Sequence, residues 1–537
     1  MIVSGLHVMF SVALAMAFEP AADAATAPTP TVEPSPAPVS SQAAPAPGLA
    51  EAPSTGEPSS ESVPVDEARP HEAPTPAEGS ETETSPAALD DAEPPGEGPV
   101  EEGSTEPVAL ESDAPTDAPA PPARSFEFTP GVQVFVRSQT RINPDFDSAP
   151  DTATNPVAVL QRIRLQARAK WGPLSGFAQV QDVRNWGTGG SIGMHQGYVE
   201  LAGARERKKA LSGSIRVGRQ EIALGRQRLI GPLLWLPGAR AFDAVAAKGT
   251  VGRLDLHAFV SMMAPPQTFD RDPNDPDAGR IDSRGAQLSG LMLAARLHEA
   301  FSLEVLTLLD VADAVPTDID RDRVIGDFGG RIWGKPFAGF HYDAEGHGQL
   351  GQVGSRHHQA WAGAGTVGYQ RPHGRMRPGA ELGYAIASGA ACTNPTGSEE
   401  GCGAEGSSDF FNFYPTNHIH YGLVDLMNWS NTRDVEFAAK LAAGEWFQAK
   451  ATYHLMQLHE PSGRWTNAGG ALVGAGWDPD NESATLGQEL DVTATARPWA
   501  PLMLQAGYGV FLPTQAGAAL GGSSPQHFAY LWLVTTF

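Results

Sequence analysis

The residues with the clearest chemistry form an arginine ladder in the segment 161–170. Arg162, Arg164 and Arg168 alternate there with aliphatic residues. The side chains of a β-strand point alternately to its two faces, so the three guanidinium groups share one face of a strand. A row of guanidinium groups can form charge-assisted, bidentate hydrogen bonds with successive carboxylates or phosphates. The segment therefore predicts a strand with one anion-binding face and one apolar face.

A strand of this kind fits two environments. In a soluble sheet the aliphatic face packs on a core and the arginines face water. In a membrane barrel the aliphatic face meets lipid and the arginines face an aqueous lumen. No apolar run after the first 25 residues approaches the roughly 20 residues that a membrane-spanning helix requires. The mature chain is therefore predicted to be either a soluble exported protein or a β-barrel.

The amino-terminal quarter of the chain has the pattern of an export signal followed by a spacer. An apolar run over 8–18 precedes the small-residue cleavage pattern Ala22-Asp23-Ala24, so residues 1–24 are predicted to be a signal peptide. Residues 25–124 are mainly Ala, Pro, Glu, Ser and Thr, a composition that favours disorder. We expect this acidic segment to lie in the periplasm, either as an inert spacer or in contact with a periplasmic partner.

The net charge of -25 belongs mainly to that segment. Between Glu19 and Arg124 there are 22 acids and two arginines, and the rest of the chain carries 40 acids and 35 bases. This near balance gives no reason to expect a nucleic-acid partner. Only seven of the 35 bases are lysine. Recognition of anions favours arginine over lysine, and a GC-rich genome is the alternative explanation of the bias.

Residues 125–537 can be divided into eighteen candidate strands, the first over 126–141 and the last over 526–537. The connections after the even strands are mostly short, and those after the odd strands are long. The long connections are predicted over 142–156, 185–193, 221–239, 264–283, 311–323, 348–356, 389–431, 459–484 and 513–525. Short periplasmic turns that alternate with long external loops are typical of outer-membrane barrels. We therefore predict an all-β, transmembrane antiparallel β-barrel of eighteen strands in the outer membrane of a Gram-negative bacterium.

The later strands and the chain end add detail to this prediction. The inward positions mix both charge signs, with Lys440 and Lys450 among acids such as Glu436. The final strand ends at Phe537, which resembles the carboxy-terminal signal read by the barrel-insertion machinery. Aromatic residues near strand ends are predicted to anchor the barrel in outer-membrane lipid and lipopolysaccharide. They are Trp171, Trp186, Trp235, Trp499 and Tyr530.

Several sequence motifs resemble the alginate export family of outer-membrane proteins, over about residues 126–537. These motifs are Arg162-Ile163-Arg164-Leu165, Val180-Gln181-Asp182-Val183-Arg184-Asn185-Trp186-Gly187, His195-Gln196-Gly197-Tyr198-Val199-Glu200-Leu201, Val217-Gly218-Arg219-Gln220-Glu221, Arg228-Leu229-Ile230-Gly231, Arg240-Ala241-Phe242-Asp243 and Tyr414-Pro415-Thr416-Asn417-His418. The resemblance implies an eighteen-stranded barrel. It also implies a narrow, electropositive constriction that conducts an anionic polysaccharide outward. Several weak sites in series suit such conduction, because each site must also release the polymer.

The candidate substrate path joins the residues supported by strand parity to those supported by the resemblance. Parity places Arg162, Arg164, Arg168 and Arg216 in the lumen. It disagrees for Asp182, Arg184 and Arg219, which alternate with inward positions. Acids on the path would moderate binding. The full set of candidates is Arg162, Arg164, Arg168, Arg184, Arg216, Arg219, Arg226, Arg228, Arg240, Asp182 and Asp243.

Other residue types point to no further chemistry. Cys392 and Cys402 could form a loop disulfide in an oxidising compartment or remain two free thiols. The histidines lack metal-ligand spacing, and neither a cofactor motif nor a catalytic set is visible. We therefore predict a passive channel without a cofactor or metal. A porin for small anionic or sugar solutes and a closed-lumen surface adhesin remain the main alternatives, and a membrane-embedded enzyme comes last.

Overall fold

In the computed structural model, the described residues are 126–146, 157–203, 211–270, 280–313, 322–394, 402 and 407–537. The predicted signal peptide and acidic segment lie outside them. The strands are β1 (Phe126–Ile142), β2 (Val157–Trp171), β3 (Leu174–Asn185), β4 (Gly189–Ala202), β5 (Leu211–Gln220), β6 (Phe242–Val251), β7 (Leu254–Ala264), β8 (Gln267–Asp270), β9 (Arg280–Ser283), β10 (Ala286–His298), β11 (Phe301–Ala312), β12 (Arg323–Gly334), β13 (Phe340–Val353), β14 (Arg356–Gln370), β15 (Met376–Ala387), β16 (Thr432–Ala443), β17 (Phe447–Leu458), β18 (Thr485–Trp499), β19 (Leu502–Pro513) and β20 (Gln526–Thr536).

Eighteen of these strands form one closed antiparallel barrel. Neighbours in the sequence pair with each other, and the barrel closes where β1 pairs with β20, with Arg137 opposite Trp532. The prediction of an eighteen-stranded antiparallel barrel is therefore confirmed. The remaining strands, β8 and β9, pair only with each other, within the connection between β7 and β10. That hairpin was not predicted, because the whole connection was interpreted as loop.

Two of the long connections predicted from the sequence are in fact tight turns. Residues 186–188 join β3 to β4, and residues 354–355 join β13 to β14, so the predictions of long loops over 185–193 and 348–356 are wrong. Gly187 and Gly354 take positive φ angles of 85° and 56° in these turns, a conformation that glycine adopts at little cost. The adjoining strand ends are rich in glycine and lack an apolar alternation, which explains why they were mistaken for loop.

The outer surface of the barrel carries an apolar band. Leu165, Val199 and Val217 project outward and expose 59%, 53% and 52% of their surface. A closed barrel satisfies its backbone hydrogen bonds between strands, so an apolar outer surface can face hydrocarbon without an open sheet edge. Among the described residues, no helix is long and apolar enough to span a membrane. The helices are short: a 3-10 turn over Asn417–Ile419 and an α-helix over Gln515–Leu520.

Three long connections have described residues that fold into the interior, and we call them loop A (221–241), loop B (388–431) and loop C (459–484). Loops A and B share a parallel bridge between Ile230 and Tyr414, and the Ala468 N–H of loop C donates to the Asp425 carbonyl of loop B. Their aromatic side chains form the buried core. Prominent members are Trp235, Phe410, Trp429 and Trp465.

This core corrects two predictions of membrane anchors. Trp235 is only 1% exposed, and Tyr530 is 4% exposed. The two rings contact each other, with centroids 4.8 Å apart. Both belong to the interior, because Trp235 lies on loop A and Tyr530 is an inward residue of β20.

Candidate functional site

The arginine ladder of β2 begins at Arg162, whose side chain is held by loop A. Its Nη1 donates to the carbonyls of Leu234, Leu236 and Pro237 at 3.1, 3.2 and 3.4 Å. Only 3% of the residue is exposed. Arg162 therefore points inward as parity predicted, but its hydrogen bonds anchor a loop within the barrel.

A neighbouring arginine that the sequence analysis missed has the same role. Arg137 on β1 donates from Nη1 to the Trp235 carbonyl at 3.1 Å, and its guanidinium lies 3.2 Å from the centre of the Trp235 ring. The alternation of β1, which buries Phe135, Arg137 and Gln139, is the signal that could have identified it. Arg137 and Arg162 together fix the tip of loop A against the wall.

Arg164 is bound to the start of loop A. Its Nη1 lies 3.2 Å from Glu221 Oε1, and its Nε donates to Gln181 Oε1 at 3.1 Å. His195 Nε2 lies 2.7 Å from the same Glu221 oxygen. Burial alone would raise the pKa of Glu221, but the hydrogen bond with His195 and the positive charge of Arg164 hold the pKa below its usual value. Glu221 is therefore a charged partner of this inner cluster.

The last ladder residue, Arg168, lies nearer the short-turn end and is more open. Its side chain is 39% exposed and lies 3.5 Å from Glu200, which also pairs with Arg216 at 3.2 Å. The guanidinium of Arg216 lies 4.2 Å from the centre of the Tyr198 ring. A cavity of about 260 Å³ opens here, and its polar lining includes Arg168, Lys170 and Glu200.

The three arginines of loop A differ in accessibility. Arg228 is buried, and its Nε lies 2.5 Å from Glu345 while Nη1 donates to the Tyr421 hydroxyl at 3.0 Å. Burial would lower the pKa of Arg228, but its interactions with the Tyr421 hydroxyl and the Glu345 carboxylate raise it. Arg240 donates to the carbonyls of Gly231 and Pro415, and burial lowers its pKa to about 10.

Arg226 is the more open arginine of loop A. Its side chain is 38% exposed, and Nε lies 3.9 Å from Asp343. Arg226 therefore keeps some access to solvent inside the barrel, whereas Arg228 and Arg240 hold loop A in place.

Four candidate residues lie on the outer face, so their assignment to the substrate path is wrong. Arg184 pairs with Asp182 at 2.8 Å, and Arg219 on β5 pairs with Asp243 on β6 at 3.0 Å. Their parity matches the outward side chains of Val180 and others. The first pair lies near the 186–188 turn and the second lies beside loop A. The register irregularity between β3 and β4 lies at Gln179/Val180 and leaves Asp182 and Arg184 on the outer face. Arg219 stays on β5, where it pairs with Asp243.

Other strands of the wall carry inward charged pairs that are not among the predicted site residues. Lys440 pairs with Glu381 at 2.5 Å, and Lys450 pairs with Glu436 at 3.2 Å. Both lysine side chains are 30% exposed. Arg331 adds a third pair, 2.5 Å from Asp343. The alternation of β16 and β17 is the sequence signal that identifies both lysines as inward.

Loop B is held by buried carboxylates. The Leu423 and Val424 N–H groups donate to Asp491 and Glu489 of β18, at 3.1 and 2.8 Å. Asp425 lies 3.2 Å from Arg141 and 2.6 Å from His418. Burial raises the pKa of Asp425 well above the usual value of an aspartate, and it lowers the pKa of His418 well below the usual value of a histidine. The segment therefore makes contacts that fix loop B within the barrel.

The structure joins Cys392 and Cys402 in a disulfide, beside the buried Trp477. We predict that maleimide labelling of the unfolded, unreduced protein finds no free thiol and that reduction exposes two per chain. Labelling of two thiols before reduction would contradict the pairing.

Among the described residues, no group of three or more His, Cys, Asp or Glu side chains is placed to hold a metal ion.

A comparison against protein families agrees with the closed eighteen-stranded barrel. The model of a family described as "Alginate export" matches residues 130–533, about three quarters of the chain. The chain belongs to the alginate export family. Membership of the alginate export family, together with the closed barrel, assigns the chain to the outer-membrane channels rather than to the enzymes. No curated protein sequence matches it.

Solved structures with a similar fold come from Pseudomonas aeruginosa. OccK11 (OpdR) is 12% identical, with 76% of this chain and 96% of that chain covered and a TM-score of 0.47. OpdQ is 10% identical, with 76% and 98% covered and a TM-score of 0.47. OpdL is 9% identical, with 76% and 99% covered and a TM-score of 0.48.

Proposed function

We propose that this member of the alginate export family conducts an anionic polysaccharide of the uronate type from the periplasm to the cell exterior. The observation that carries the proposal is a set of inward cations that are still partly exposed. Each of them lies beside a carboxylate of the barrel wall. They are Arg168, Arg216, Arg226, Lys440 and Lys450.

The pairing of these cations favours passage over capture. A uronate that binds Lys450 must compete with Glu436, which already pairs with that lysine. The net gain in binding free energy at each site is therefore small. Partly exposed ion pairs are typically worth only ~1 kcal/mol or less. A polymer with many carboxylates can therefore contact several such sites and still move from one to the next.

This proposal shifts the path away from most of the arginine ladder. Arg162 is hydrogen-bonded to loop A, and Arg164 is paired with Glu221. These two arginines are therefore proposed to hold loop A in position instead of contacting the polymer. Arg168 and Arg216, near the short-turn end, are proposed as the first acid-paired cations that a periplasmic polymer meets inside the barrel. Lys440 and Lys450, which face each other on β16 and β17, are proposed to contact the polymer at a similar depth from another part of the wall.

We expect the double variant Lys440→Gln/Lys450→Gln to weaken block by oligouronates about 10- to 30-fold. Each lost charge-assisted contact is worth roughly 1 kcal/mol, which is about fivefold in affinity, and Glu381 and Glu436 would then repel the guest. The measurement is the concentration of oligoguluronate that halves the single-channel current in a planar bilayer.

Arg219→Gln is the matched control, because it removes a paired cation from the outer face. Block that is equally strong in the double variant and the parent would sink the proposed path. A parent channel that passes chloride without block by any oligouronate would instead favour a porin for small anions.

A further inference from the structure

In the sequence, the connections on the two sides of the barrel differ in charge. The connections at the long-loop end contain 22 acids and eight bases, whereas those at the short-turn end contain eight bases and three acids. All seven lysines beyond Arg124 lie in the short-turn connections or in the strand halves next to them. This asymmetry is greater than the near-neutral total of the barrel suggests, and it concentrates positive charge at one mouth.

Exposed bases surround this mouth. We call five of them the basic collar. They are Lys170, Arg253, Lys335, Arg371 and Arg375, and all are exposed. Among the described residues, the exposed acids at the same end are fewer: Glu127, Glu299 and Glu445. The collar therefore presents a surface that attracts anions to the rim of the barrel, outside the ion-paired interior.

The chain itself supplies a polyanion next to the collar. Twelve acids and no base occur between Glu81 and Asp117. This acidic run leads directly into β1, which begins at Phe126 opposite Trp171, at the short-turn end. Eight residues separate Asp117 from Phe126, so their Cα atoms lie at most ~30 Å apart when this segment is extended. The nearest acids can therefore reach the rim without any rearrangement of the barrel.

We propose that the acidic run 81–117 docks on the basic collar and competes there with anionic solutes. Attachment to β1 makes the contact intramolecular, and short flexible linkers give effective concentrations in the millimolar range. At physiological ionic strength charges are screened beyond ~8 Å, so the run must lie close to the collar to be held. The contact is weak, sensitive to salt and displaceable, and it does not depend on which solute the channel conducts.

Anionic phospholipid headgroups and free polyanions are the two alternative occupants of the collar. Neither is covalently attached at this rim, whereas each chain carries its own acidic run next to its own collar. The charge of the run also matches that of the collar. The acidic run is therefore the occupant favoured by both composition and connectivity, and the test separates it from the other two.

The first experiment is zero-length carbodiimide cross-linking of the full chain in zwitterionic detergent at low salt, read by mass spectrometry. We expect products that join acids of 81–117 to Lys170 and Lys335. They should disappear in 1 M salt and in a chain whose twelve acids are replaced by Asn or Gln. If no such products form, and phosphatidylglycerol vesicles bind both chains equally, the collar is a lipid contact and the proposal is overturned.

The second experiment measures binding of dextran sulfate to the same chains in detergent, where no transport is needed. The neutralised chain should bind it several-fold more tightly than the parent. Adding Lys335→Gln, Arg371→Gln and Arg375→Gln to both chains should abolish that difference. Equal affinity of the parent and the neutralised chain would overturn the competition, whatever the outcome of the oligouronate block.

Discussion

Replacing Arg162 with glutamine is expected to release loop A from the barrel interior and raise single-channel conductance several-fold. The side chain donates to three carbonyls of loop A, and a buried polar group left without its partner costs roughly 1–3 kcal/mol. Glutamine is too short to replace these contacts. The released loop should also become a trypsin substrate, with cleavage after Arg226, Arg228 and Arg240.

The matched control for this experiment is Arg184→Gln. Arg184 is an arginine of the adjacent strand β3, but it lies on the outer face and pairs only with its neighbour Asp182 at 2.8 Å. Its replacement should leave both conductance and the proteolytic pattern unchanged. If Arg162→Gln behaves like this control, then Arg137 and the aromatic core suffice to hold loop A, and the anchoring role given to Arg162 is wrong.

Replacing Arg228 with methionine is expected to lower the free energy of unfolding by about 3–5 kcal/mol, the usual cost of leaving one partner of a buried ion pair alone. Glu345 would lose the guanidinium at 2.5 Å, and the Tyr421 hydroxyl would lose its donor. The measurement is equilibrium unfolding in urea from detergent micelles, followed by tryptophan fluorescence.

The double variant Arg228→Met/Glu345→Gln tests the cause of that loss. Without the buried negative charge, much of the stability should return, so the two substitutions should be strongly non-additive. Losses that simply add would show that Arg228 acts by packing against Tyr421 and Trp429 rather than by neutralising Glu345.

The barrel could be predicted from the sequence because its signal is local. Alternation with period two is visible within any ten residues, and the change from strand to turn repeats along the chain. The two connections that were predicted wrongly illustrate the limit of this signal. Around Gly187 and Gly354 the strands continue through glycine-rich stretches whose side chains carry no alternation, so only backbone pairing reveals them.

The interior could not be predicted in the same way, because its contacts are non-local. Arg228 and the Tyr421 hydroxyl that it contacts are 193 residues apart, and no periodicity connects them. Trp235 was assigned to the membrane interface for the same reason, since an aromatic residue near a strand end looks alike whether its loop turns outward or inward. The parity of β2 predicted that Arg162 points inward, but it could not predict that the side chain would be hydrogen-bonded to loop A.

The position of Trp235 bears on how the barrel is completed. Its ring packs against Arg137 on β1 and against Tyr530 and Trp532 on β20, so one side chain bridges the seam between the first and last strands. Pairing of the chain ends is the least local contact of the fold and is expected to form late. Since Trp235 contacts both strands of the seam, we expect loop A to be seated before or while the seam closes. Once seated, loop A links β1 and β20 from inside the barrel. The two strands can then separate laterally into the membrane only if Trp235 first loses its contacts with them.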